Sequence, residues 1–230
     1  KGVVVIIGDL RPDGNIDTKL HLLAKNLPDS GWNTLFVMPQ PSYIPSNIRE
    51  NLPSNNANDQ APALDTQKET PQLNIKSKQL QTAKMAYSQE DFVSFIRNLT
   101  NQLNATLTKG AGYQIIYAKG QSAFAAIEVL SDPKQSIAHA LVIDNPYWPN
   151  MESNQLIPAK LAKLPLPVLD IVSLSDNLWA KKTTRTRRIT SEVELKPLYR
   201  QTEVASHQSL ENGYDQLSGE LINWTRFMGW

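Results

Sequence analysis

Cysteine is absent from this chain of 230 residues. That one omission removes thiol nucleophiles, zinc-thiolate sites, iron-sulfur clusters and disulfide staples together, so stability has to come from burial. Net charge is nearly absent too, since 23 Lys and Arg stand against 22 Asp and Glu for a formal +1. No global field draws the chain to nucleic acid or to an anionic membrane, and neither is expected as a partner. The longest apolar run is the short Val3 to Ile7 stretch. It falls far short of the ~18 residues that a transmembrane segment needs, and it is also too short for a signal-peptide core. What is present, 40% hydrophobic and 20% charged residues, suffices for one sizeable domain with a real core. The lack of cysteine fits an oxidising compartment such as a bacterial periplasm. A chain that opens at Lys1 and enters a strand by Val3, without an initiator Met, reads as a product whose leader has been removed. A periplasmic or secreted location is therefore expected.

Gly2 to Gly8 (GVVVIIG) is a β-branched run between glycines, the pattern of a strand buried on both faces of a parallel sheet. Thr34 to Met38, Tyr113 to Ala118, Ala140 to Asp144, Pro167 to Val172 and Leu198 to Glu203 bring the expected total to six strands. Helical periodicity lies between them. Leu20, Leu23, Ala24 and Leu27 share a face behind Asp17 as N-cap. Phe92, Phe95, Ile96, Leu99 and Leu103 do so behind a Ser88-x-x-Asp91 capping box. Further helices are predicted over Ser122 to Leu130, Gln155 to Leu164 and Tyr214 to Phe227. Alternating strands and helices imply right-handed crossovers and a mostly parallel sheet covered on both faces. The whole of 1–230 reads as a single domain with one interruption: at about 40–86 lies a Gly-free stretch rich in Asn, Gln, Ser and Pro, with no sustained period. A connection of this length is either a binding loop or lid, or a mobile excursion.

In open parallel sheets, ligands and chemistry collect beyond the carboxyl ends of the strands. No G-x-G-x-x-G follows the first strand and no G-x-x-x-x-G-K-[ST] occurs, so no dinucleotide or nucleotide cofactor is expected. His21, His139 and His207 have no metal-ligand spacing. Arg11 would put a cation in an oxygen-ligand position of the Asp9 to Gly14 loop, so no metal is expected there either.

The end of the third strand says more. Gly120-Gln121-Ser122-Ala123-Phe124 joins a β-rich run to an Ala-rich helix, the setting of a G-x-S-x-G nucleophile elbow with its second glycine replaced by Phe124. Ser122 falls at the apex of the turn in this reading; its plainer alternative is a helix-capping serine. A serine hydroxyl needs a base, and the base needs a carboxylate to hold its tautomer. Asp176 follows the fifth strand and His207 the sixth, giving the order Ser, Asp, His expected of α/β-hydrolases. Asp144, ending the fourth strand, is an alternative carboxylate, while Asp176 as a turn residue and His207 as a solvated loop histidine are the structural alternatives. Oxyanion donors would be the backbone N–H groups of Ala123 and of Leu10 or Arg11, and Arg11 could also hold an acidic substrate group.

Taken together, Gly2 to Asp9, Leu27 to Pro39, Gly120 to Ala123, Leu141 to Pro149, Leu164 to Asp170, Arg187-Arg188, Tyr199 to Gln201 and the terminal Gly229-Trp230 resemble an α/β-hydrolase-like family of unknown function, exported from proteobacteria. The resemblance implies an α/β-hydrolase-like three-layer sandwich with about six strands. Gly2 would correspond to the third strand of the general hydrolase sheet, the first two being absent from this sequence. It also implies an envelope location and supplies no substrate. Lys181 to Arg188 (KKTTRTRR), five positive charges in eight residues, reads either as a solvated helix face or as a patch for an acidic envelope partner. Two functions are expected in competition: a serine hydrolase of the carboxylesterase type acting on an unknown small-molecule ester through Ser122, Asp176 and His207, or a catalytically silent binding module of the same fold.

Overall fold

Six short runs of β-branched and aliphatic residues become six parallel strands in the computed structural model, in the sheet order β2-β1-β3-β4-β5-β6. The structure describes residues 1–10, 17–40, 87–107, 112–132, 134, 138–173, 177–204 and 216–230. The expected insertion at about 40–86 falls, but for Gln40, outside these residues. In chain order the elements are β1 (Gly2–Ile7), α1 (Thr18–Asn26), a 3-10 turn (Leu27–Ser30), β2 (Trp32–Val37), α2 (Gln89–Leu107), β3 (Tyr113–Lys119) and α3 (Gly120–Leu130). Then follow β4 (Ala140–Asp144), α4 (Met151–Lys163), β5 (Val168–Ser173), α5 (Leu178–Val193), β6 (Tyr199–Val204) and α6 (Gln216–Phe227).

The side-chain alternation of the strands builds two cores. Val5, Ile7, Ile116, Leu141 and Ile143 face Phe92 and Ile96 of α2, Phe124 and Ile127 of α3, and Ile157 and Leu161 of α4. Val4, Ile6, Ile115, Tyr117, Val142 and Leu169 face Leu20 and Leu23 of α1 and Leu217, Leu221 and Trp224 of α6. The result is a three-layer α/β sandwich. Burial of each aliphatic side chain contributes about 1.5–3 kcal/mol, and every residue of β1 is buried, which is why its run needs no polar alternation.

Local chemistry sets the helix starts. Ser88 and Asp91 form the reciprocal box read from sequence: the Asp91 N–H donates to Ser88 Oγ at 3.0 Å and the Ser88 N–H to Asp91 Oδ2 at 3.3 Å. Asp17 caps α1, and Asn150 and Asn177 cap α4 and α5. Helix α4 therefore begins at Met151, four residues before the periodicity predicts, and carries Pro158 inside it.

The basic run forms half of α5, and it is not uniformly solvated. Arg187 is fully buried, with Nε 2.8 Å and Nη2 3.0 Å from the two oxygens of Asp170 on β5. Tyr199 and Gln201 of β6 donate to the same carboxylate at 2.8 and 2.9 Å, so one buried ion pair ties α5, β5 and β6 together. Beyond α5, Leu195 and Leu198 both hold positive φ, 49° and 55°, with exposed side chains. No helix among the described residues is long and apolar enough to cross a membrane.

Candidate functional site

Strand β1 leads to α1 on one face of the sheet and β3 leads to α3 on the other, so the chain departs in opposite directions from two neighbouring strands. Open α/β sheets hold their ligands at such a switch point. Here it lies beyond the ends of β1 and β3, which pair up to Ile7 and Ala118.

Lys119 is still extended, at φ −116° and ψ 145°, and the next residue starts a helix. The reversal is made at Gly120, whose φ of +58° is the left-handed conformation that glycine adopts at no steric cost. A β-carbon at this position would overlap the carboxylate of Asp9, which comes in from the end of β1. Asp9 Oδ1 accepts two backbone hydrogen bonds, from Gln121 N–H at 2.9 Å and from Leu10 N–H at 2.9 Å. One donor opens α3 and the other follows β1. The first also carries the positive end of the helix dipole, so an anion is stabilised there.

Tyrosines close the other side. Tyr147, after β4, donates to Asp9 Oδ2 at 3.3 Å, and its N–H donates to the Gly120 carbonyl at 3.3 Å. Gln121 links both rings, accepting from Tyr87 OH at 2.9 Å and donating to Tyr147 OH at 3.4 Å. Burial pushes the Tyr87 phenol well above its ordinary pKa, and the charge of Asp9 adds to the shift. Beside this turn, the Lys119 ammonium lies 2.6 Å from Asp17 and 3.6 Å from Asp144, both buried. Tyr117 OH donates to Asp144 at 2.9 Å and Ser173 OH at 3.4 Å. Asp144, the alternative carboxylate, is thus held among buried partners of β3 and β5.

The sequence pattern places Ser122 at the apex, and in the structure the apex lies two residues earlier, at Gly120. Ser122 lies inside the first turn of α3, fully buried, and its hydroxyl donates to the Gly8 carbonyl at 2.7 Å. It stitches α3 to β1. The N–H that follows the apex is accordingly that of Gln121, and Ala123 is one turn into the helix interior. Leu10 does place its N–H at the switch point, where Asp9 takes it. Phe124 fills the core, its ring 5.2 Å from that of Trp148. Asp176, His207 and Arg11 lie outside the described residues.

Sequence reasoning passed over Asp9, Gly120, Gln121 and Tyr147. The available signal was a second frame of the same pattern: Ala118-Lys119-Gly120-Gln121-Ser122 has small residues on both sides of its centre, as G-x-S-x-G does, but glycine where the nucleophile stands.

The architecture matches solved structures of hydrolases. A dienelactone hydrolase from Anabaena variabilis aligns at TM-score 0.56 and 14% identity, over 100% of this chain and 87% of its own. A monoacylglycerol lipase from Paleococcus ferrophilus aligns at 0.56 and 10%, over 97% and 93%. A predicted CIB-like hydrolase from Thermoplasma acidophilum aligns at 0.55 and 9%, over 98% and 86%. At such identities the likeness establishes the α/β-hydrolase fold and no activity. No curated protein sequence matches the chain. Residues 1–224 match the family model described as protein of unknown function (DUF3530), and with nearly its whole length inside that match the chain belongs to the DUF3530 family.

Proposed function

We propose that this chain is an α/β-hydrolase-fold protein that has given up serine-dependent ester hydrolysis and acts as a binding module of the bacterial envelope. The observation that carries the proposal is the empty side-chain position at the apex: Gly120 offers no nucleophile, and its space is taken by Asp9. A nucleophile elbow works by lifting a hydroxyl into the cleft. The nearest serine in the turn instead spends its hydrogen on the Gly8 carbonyl. The lack of cysteine supports the envelope location, which cell fractionation tests.

A competing reading, a carboxylesterase using Ser122, Asp176 and His207, draws support from the chain order of these residues after β3, β5 and β6. It requires the Ser122 hydroxyl to leave Gly8 and turn outward. A fluorophosphonate probe separates the two. Folded wild-type protein should remain unlabelled and should not cleave short-chain p-nitrophenyl esters. Labelling that disappears in Ser122→Ala would establish the esterase and sink the binding-module proposal.

A further inference from the structure

The N–H groups of Leu10 and Gln121 come from two different elements and converge on one oxygen, each at 2.9 Å. Two converging backbone donors, one at a helix N-terminus, are the device by which acyl-transfer sites hold a developing oxyanion. The two donors remain, and a carboxylate already sits between them. The seat is also sterically defined, because it coincides with the volume that a β-carbon on residue 120 would occupy.

We infer that this N–H pair is a carboxylate-binding site whose resident is the chain's own Asp9, and that removing the Asp9 side chain converts it into a site for a free small carboxylate. The inference rests on the same placement of the apex at Gly120 as the proposed function. It does not depend on whether the protein hydrolyses esters. The chemistry that selects the ligand is plain: a planar anion whose one oxygen accepts two N–H bonds, small enough to fit where a side chain would start. Acetate and formate meet both conditions. Chloride lacks the planar shape and second oxygen that reach Tyr147.

The test is thermal unfolding of Asp9→Ala in acetate against chloride at matched ionic strength. Acetate should stabilise Asp9→Ala along a saturating curve, with the unfolding equilibrium constant falling about tenfold when acetate reaches ten times its dissociation constant. Wild type and Asp9→Asn keep the seat filled and should not respond beyond the chloride control. In Asp9→Ala combined with Gly120→Ala the new β-carbon takes the seat, so the acetate response should vanish. If Asp9→Ala does not fold in plain buffer, its refolding yield in acetate relative to chloride reads the same binding. The inference is overturned by the absence of a saturable acetate effect, by an equal effect in wild type, or by an effect that survives the second substitution. Labelling of Ser122 would overturn the proposed function and leave the anion site standing, whereas a missing acetate response would do the reverse.

Discussion

Two buried or half-buried aspartates, Asp170 and Asp9, are held in contrasting ways. Asp170 has a cation for a partner, the fully buried Arg187, with Tyr199 and Gln201 completing its shell. Asp9 takes two backbone N–H groups on one oxygen and the Tyr147 hydroxyl on the other, and its site is a turn between a strand and a helix. A side-chain partner can be removed by one substitution, leaving a charge stranded in the core. The two backbone donors to Asp9 cannot be mutated away, so their share of the preference for an anion belongs to the fold itself and the side chain is the replaceable part. The first arrangement fastens elements together; the second is a receptor with its occupant attached.

Breaking the ion pair should have the largest effect. Arg187→Met leaves the Asp170 carboxylate uncompensated and should lower stability by about 3–5 kcal/mol, read as a shift of the urea midpoint. Adding Asp170→Leu should recover much of that loss, because the penalty lies in the stranded charge. Next comes Gly120→Ala. It should cost more than the roughly 1–2 kcal/mol of left-handed strain alone, since Asp9 must also be displaced. In an Asp9→Ala background the cost should fall to the strain, a coupling that a double-mutant cycle measures. Ser122→Ala should cost about 1–3 kcal/mol by leaving the Gly8 carbonyl without its buried donor, with no change in ester cleavage.

Stability should also depend on pH. Burial lowers the Lys196 pKa from 10.5 to about 8, although its ammonium donates to the Leu164 and Leu166 carbonyls. The folded state binds this proton less tightly than the unfolded state, so stability should rise as pH increases from about 8 to 10.5. The phenols of Tyr87 and Tyr199 are shifted the other way, above 10.0, so the unfolded chain loses those protons first and stability should fall above pH 10. Thermal midpoints should therefore pass through a maximum, and Lys196→Met should flatten its rising side.

The contrast also separates what could be read from the sequence. Runs such as GVVVIIG and ALVID report their own burial, because a strand covered on both faces leaves no polar position to confuse the pattern. The six strands were legible in that way, and periodicity marked every helix but α5. Arg187 was not, since inside KKTTRTRR nothing distinguishes the one cation that turns inward. The clue lay elsewhere, in Asp170 standing in the middle of the apolar VLDIVS strand, where a carboxylate demands a partner. At the elbow, the one hydroxyl in Gly120-Gln121-Ser122 draws the pattern onto Ser122 and away from Gly120. A position defined by a missing side chain becomes visible only when backbone angles and the intruding Asp9 are seen together.

The connection from α5 to β6 carries a consequence for engineering. Its two leucines occupy backbone conformations that glycine would adopt without steric penalty, and the Leu195 side chain, 84% exposed, gains little shelter from water in return. Leu195→Gly should therefore raise the melting temperature while shrinking an oily patch. The wild-type loop leaves thermostability unused, at the opposite end of the strands from the Gly120 turn and open to improvement without touching it.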